Sequence, residues 1–387
     1  MSADNDGTRN AGNISLEADK DIAITNISQI ISNTGGQGNA GNIGITTKSL
    51  LIKEDSSIAT NTFGEGKAGN VSINASDSVI FDGLSGATSS VNPNAKGEAG
   101  KIFINTNYLK LTDNAILSAS TFGNGEGGEI ILDTNRILLA ENSIIATASN
   151  TKGKAGNIII NSTDALEVQK NSFITSSSSQ SAGGEIQITA GDIQLRGDSD
   201  ILTNVNNGAD NGGNITLTAN SIIAFDDSDI FAFAADGQGG DITLKTPVYF
   251  AENFTLNSLT SNPDSLVNNS RADLNATGAV SGAISIPDVS FIQNSLNDLP
   301  NNSINTDELV ANSCVSPVGD RQQGKFIITE GQSLPVRPGD GIPSKYPTGE
   351  VRNVPEQNSW RSGDPIVEPQ GAYRLANGKL VLSRECN

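Results

Sequence analysis

Residues 40–73 read AGNIGITTKSLLIKEDSSIATNTFGEGKAGNVSI, and the phrase that opens this stretch returns at its end. The form is Ala or Gly, then Gly, a polar residue, an aliphatic, any residue, and a second aliphatic. Outward from this unit it recurs as AGNISL, AGNIGI, AGNVSI, AGKIFI, GGEIIL, AGNIII, GGEIQI, GGNITL and GGDITL. The second glycines are Gly12, Gly41, Gly69, Gly100, Gly128, Gly156, Gly184, Gly213 and Gly240, in steps of 29, 28, 31, 28, 28, 28, 29 and 27. A fixed period near 28 residues overrules any local reading. Small variations in the step place insertions in turns and leave the paired segments constant in length.

Within each unit the apolar period is two, which belongs to strands. Ile43 and Ile45 point one way, as do Leu50 and Ile52 about ten residues on. Equivalent pairs are Val71/Ile73 with Val79/Phe81, Ile102/Ile104 with Leu109/Leu111, and Ile130/Leu132 with Ile137/Leu139. A third strand is expected to carry Ile30, Ile58, Thr88, Ile116, Ile145, Phe173, Ile201 and Ile230 in register. Two residues later an inward hydroxyl ladder is expected at Ser32, Thr60, Ser90, Ser118, Thr147, Thr175 and Thr203.

Three short strands per unit with no helical stretch between them exclude a βαβ arrangement, since that crossover needs a helix. Propeller blades need four strands and about 40 residues. The fold expected is all-β: a parallel β-helix with three strands per coil and about 28 residues per coil, over 1–287. Stacked at about 4.8 Å, nine coils make a rod of about 43 Å. Gly and Asn suit its corners because they tolerate left-handed backbone angles. After the last regular phrase, SGAISI with Gly282 suggests one irregular coil. Residues 288–387, rich in Asn, Pro and Gly, read as a C-terminal cap with partly irregular segments and strand-like runs at 325–330 and 378–383. A cap keeps the last coil from offering unpaired strand groups to other chains. Only ten polar residues precede the first phrase, so the chain is expected to be the C-terminal part of a longer protein.

Composition narrows the chemistry. The 387 residues include 24 Lys and Arg against 43 Asp and Glu, a formal charge of −19, and no histidine. Catalysis by Ser-His-Asp or Cys-His and metal binding through His are excluded. The acidic balance opposes nucleic acid and anionic membranes as partners. No apolar run of about 18 residues is present to span a bilayer, and the opening MSADNDGTRN lacks a secretory profile. Cys314 and Cys386 bracket the cap. They would form a disulfide in an exported protein, closing a long loop, or stand as two free thiols in a cytosolic one.

The repeats resemble filamentous-haemagglutinin-like exoproteins of two-partner secretion systems, particularly the large cyanobacterial members. The residues that carry the likeness are the AGNI-x-I phrases, SSIATNTFGEGKAGN (56–70), NAILSASTFGNGEGGE (114–129), LNATGAVSGAISIPDV (274–289), and the tail from SCVSPVGDRQQGKFIITEGQSLP to IVEPQGAYRLANGKLVL. This resemblance implies a right-handed β-helix, export through an outer-membrane partner pore, and a place outside the cell or on its outer surface. The N-terminal secretion domain of that family is missing from the sequence, which agrees with a fragment.

Three functions follow as expectations. The first is a non-enzymatic adhesin-like stalk contacting surfaces or glycans, with no cofactor. The second is a β-helical polysaccharide-active enzyme, and the third a structural surface-layer component. For the enzyme the densest carboxylates are Asp226, Asp227 and Asp229, one coil beyond Asp198 and Asp200. Without Lys or Arg inside 198–200 or 226–229, they read as solvated turn residues. Glycine-rich loops such as 62–70 lack phosphate-loop spacing and read as corners. For the stalk, the outward residues Phe103, Ile131 and Ile159 fall on consecutive coils and form a candidate contact stripe, with Ile80 and Leu138 apolar outside on the second strand. Asn13, Asn42, Asn70, Asn157 and Asn214 read as a corner ladder.

Overall fold

The chain is described by a computed structural model covering residues 1–253, 266, 268–287, 352–353, 371–374, 378 and 380–383. It divides into two units, residues 1–290 and 291–387. The first is a parallel β-solenoid, and no helix occurs among the described residues. The repeating phrase opens a strand of 11 or 12 residues in the middle coils: Ile43–Lys53, Val71–Asp82, Lys101–Thr112, Glu129–Leu139, Ile158–Gln169 and Ile186–Arg196. Each is the first two expected strands run together across a register shift, which in Val71–Asp82 lies between Ala75 and Ser78. Towards both ends they separate, as in Ile14–Glu17 and Asp21–Ile24, or Ile215–Thr218 and Ser221–Ala224. All of them belong to one 13-stranded sheet. A 9-stranded sheet of short segments closes the coil, running from Gln29–Ile31 through Ser57–Ala59 to Ile230–Phe231 and Leu274–Asn275.

Like residues lie over like. Ile43 pairs with Val71 and Val71 with Ile102, and the inward pairs of the second half-strand stack the same way, Leu50 on Val79 on Leu109. These side chains are at most 1% exposed, and fully burying each contributes about 1.5–3 kcal/mol. Ile22, Leu50, Val79, Leu109, Ile137, Leu166, Ile193 and Ile222 make one such column, closed by Tyr249.

The motif glycine has a steric cause. A Cβ placed on Gly69 would sit 2.0 Å from the Gly41 carbonyl oxygen, and one on Gly156 would sit 1.5 Å from that of Gly128. Each glycine rests on the carbonyl of the glycine below, and no other residue fits. The neighbouring Asn ladder also forms: the N–H of Asn42 donates to Asn13 Oδ1 (2.8 Å), that of Asn70 to Asn42 Oδ1 (2.8 Å), and that of Glu185 to Asn157 Oδ1 (3.0 Å).

The third strand requires a correction in three coils. Its inward column is Ile30, Ile58, Ala87, Leu117, Ile145, Ile174, Ile201 and Ile230. Thr88, Ile116 and Phe173 therefore turn outward, and Ile116 is 38% exposed while Leu117 is 0%. For Phe173 the cause is an additional residue in the bulge of Ile158–Gln169, which advances the frame by one. At Ile116–Leu117 two adjacent aliphatics give no alternation to read. The hydroxyl ladder shifts accordingly to Ser32, Thr60, Ser89, Thr147, Ser176 and Thr203, with Ala119 in place of Ser118. Its hydroxyls donate to motif carbonyls: Thr60 to Gly69 at 2.8 Å, Thr147 to Gly156 at 2.9 Å, and Thr203 to Gly213 at 2.6 Å. It is a structural clip across the coil, which satisfies polar groups the core would otherwise strand.

In residues 291–387, Arg352–Asn353 pairs parallel with Gly371–Arg374, which pairs antiparallel with Leu380–Ser383. The last strand falls in the expected run at 378–383. The run at 325–330 lies outside the described residues, as do Cys314 and Cys386.

Candidate functional site

Two places on the solenoid depart from a satisfied aliphatic repeat. The first is the outer face of the 13-stranded sheet. Phe103 pairs with Ile131 and Ile131 with Ile159, so the expected stripe exists, and all three side chains are half-buried. Ser72 bounds it on one side and Gln187 on the other. Beside it runs a polar row in register, Asn74, Asn105, Asp133 and Asn161, in which Asn161 Nδ2 donates to Asp133 Oδ1 at 2.8 Å. Where the strands bend at the bulge, Thr46, Asn74, Ser76, Asn105 and Asn107 line an open cavity of about 260 Å³. Its floor is Ala75, a methyl in a column that carries hydroxyls at Thr47 and Thr106. Beyond the bulge lies Tyr108, whose hydroxyl is pushed up by burial, next to the Arg136–Glu167 ion pair. Ile80 and Leu138 do not join into a second stripe, because Lys110 lies between them in register.

The second place is the closing end of the solenoid, where the acidic residues depart from the solvated-turn reading. Asp226 is an exposed corner residue with φ 57° and Asp198 a half-buried one, as turns require. Asp200, Asp227 and Asp229 are buried, at 8%, 9% and 1% exposure. Register stacks Asp200 under Asp229, and Asp229 under Asp273, a residue 44 positions further along the chain. The N–H of Asp229 donates to Asp200 Oδ1 and that of Asp273 to Asp229 Oδ1, each at 2.8 Å. The irregular coil also brings a cation: Arg271 Nη2 lies 2.7 Å from Asp273 Oδ1. Burial is the largest cause pushing Asp200 up to about 7 and Asp229 up to about 9; the ladder N–H groups oppose it and the neighbouring carboxylates add to it. Tyr249 is raised as well, chiefly by burial.

Sequence reasoning found Asp200 and Asp229 but not their burial, and it missed Arg271 and Asp273. The signal available was the spacing of 29 between two Asp residues that each directly precede an inward isoleucine, Ile201 and Ile230. Among the described residues no group of three or more acidic, Cys or His side chains is placed to hold a metal ion. The glycine-rich loops are corners stacked on one another, with Gly66 directly over the Gly38 carbonyl. Among the described residues, no helix is long and apolar enough to cross a membrane. No family model, curated protein or solved structure matches this chain.

Proposed function

We propose that the chain is a non-enzymatic stalk from a secreted or cell-surface adhesin-like exoprotein of the filamentous-haemagglutinin type, delivered through an outer-membrane partner pore. It makes many weak contacts with a surface or glycan. The observation that carries this reading is the in-register repetition of outward residues on the long sheet, above all the Phe103–Ile131–Ile159 stripe beside its Asn-lined groove. A row of equivalent positions one coil apart presents the same contact repeatedly, and weak contacts linked in this way add through effective concentration. Apolar side chains flanked by amides and hydroxyls suit the mixed faces of a polyhydroxylated chain.

The enzyme reading is supported by the stacked carboxylates with a guanidinium beside them. Against it, Asp229 and Asp273 are 1% and 2% exposed, so a polymer cannot reach them. The test passes purified chain over immobilised neutral and acidic polysaccharides and compares it with the triple variant Phe103→Ser, Ile131→Ser, Ile159→Ser. Retention that falls about tenfold or more in the variant supports the stalk reading. Unchanged retention, or shortening of the polysaccharide that Asp227→Ala abolishes, overturns it. Ordered lattices of purified chain in the electron microscope, with no retention on any polysaccharide, would instead favour the surface-layer role.

A further inference from the structure

We infer that Asp200, Asp229 and Asp273 form a proton-held clasp that keeps the irregular closing coil seated in acid and releases it as the medium turns alkaline. The inference is independent of the stalk reading, because it concerns how the solenoid ends and not what it touches.

The geometry is a column of three carboxyl groups, one per coil, at 8%, 1% and 2% exposure. Strand spacing places successive coils about 4.8 Å apart. Other groups face this column from every neighbouring element: Asp198 and Asp227 from the two corners, Tyr249 from the end of the inward column, and Arg271 from the closing coil. Among these described groups one guanidinium meets five carboxyls, and it lies against Asp273. Asp200 and Asp229 are left to bury like charges side by side, which is unfavourable for two ions taken out of water with no countercharge between them. A proton removes that cost, since a buried acid without a countercharge neutralises itself.

The same groups hold the closing coil in place. Asp227 Oδ1 accepts the N–H groups of Asn269 (2.9 Å) and Arg271 (3.3 Å), and Asn269 Nδ2 donates to Asp273 Oδ2 at 2.6 Å. Asp229 Oδ1 accepts the N–H of Asp273, the residue immediately before the short strand Leu274–Asn275. Proton loss at Asp229 therefore acts where residues 268–275 join the solenoid.

The sign follows from proton linkage. Opening the closing coil uncovers Asp229, which then titrates near its ordinary 3.8; closed, Asp229 is pushed up to about 9, while Asp200, one coil deeper, is pushed up to about 7. The closed form binds more protons throughout that interval. Its stability is full below about 4 and declines as pH rises from there to about 9.

The experiment is hydrogen exchange by mass spectrometry on the full chain at pH 5 and pH 9, corrected for intrinsic exchange. Peptides from 221–231 and 268–287 are compared with peptides from 102–139. The expected result is a rise of more than about tenfold in opening of the closing coils, with no change in the middle ones. Asp229→Asn, which keeps an oxygen for the Asp273 N–H and cannot titrate, flattens that response. Equal protection at both pH values, or an undiminished response in Asp229→Asn, overturns the clasp. Should that variant fail to fold, the infrared carboxyl stretch of the wild-type chain at pH 7 decides: a protonated, exchange-shielded carboxyl supports the clasp and its absence overturns it. Calcium that restores protection at pH 9, where sodium at equal ionic strength does not, also overturns it, because the column would then be held by a cation.

Discussion

The middle coils and the closing coils share one register and solve the same problem differently. Between Ile43 and Arg196 the buried side chains are apolar or carry hydroxyls, several of them clipped to motif carbonyls, and the charged residues stay at corners and on outer faces. Past Gly197 the backbone stacks as before, yet the position ahead of the inward aliphatic (Ile201, Ile230, Leu274) becomes aspartate and is covered. Stacking multiplies whatever it is given. A column of isoleucines adds burial coil by coil, and a column of aspartates adds repulsion unless protons or Arg271 intervene. The middle coils are accordingly held by shape and the end by charge state, which makes the end the part that responds to its surroundings.

The contrast breaks most readily at the glycine column. Gly156→Ala puts a methyl into the Gly128 carbonyl, and we expect a loss of more than about 4 kcal/mol, or failure to fold cooperatively, by urea denaturation. A change under about 1 kcal/mol would show that shape does not hold the middle coils. Next in size is a matched pair. Leu117→Ala should cost about 2–5 kcal/mol, and its neighbour Ile116→Ala less than about 0.5 kcal/mol, both read from the urea midpoint. Equal effects would return the inward frame to Ile116. The smallest effect sharpens the comparison at the corner. Asn70 Oδ1 accepts the Lys101 N–H at 2.8 Å on an exposed edge, so Asn70→Ala should cost about 1 kcal/mol, measured the same way.

What the sequence discloses follows the same division. Where the glycine phrase recurs, it alone gives the pairing of Ile43 with Val71 with Ile102 and the position of the Phe103 stripe, even across the step of 31 residues from Gly69 to Gly100. The frame slips locally at Ile158–Gln169, because a bulge residue changes the count without changing the composition. At the closing end it gives out. Asp273 and Arg271 come from a coil with an irregular spacing, and nothing in their neighbourhood announces that they return to stack on Asp229. Burial of Asp200 and Asp229 is likewise a property of the whole end, whereas turn preference is a property of the residue, so local reading placed them in water.

The glycine column has one further consequence. Because each joint between neighbours is the same backbone-on-backbone contact, from Gly41 on Gly12 through to Gly282 on Gly240, a whole unit can be excised or duplicated and the surfaces brought together are ones that already fit. Tandem copying of a gene segment would lengthen the protein without inventing a new interface, whereas a cut made out of phase would set a side chain against a carbonyl. Such a molecule changes its size by arithmetic, in steps of one turn.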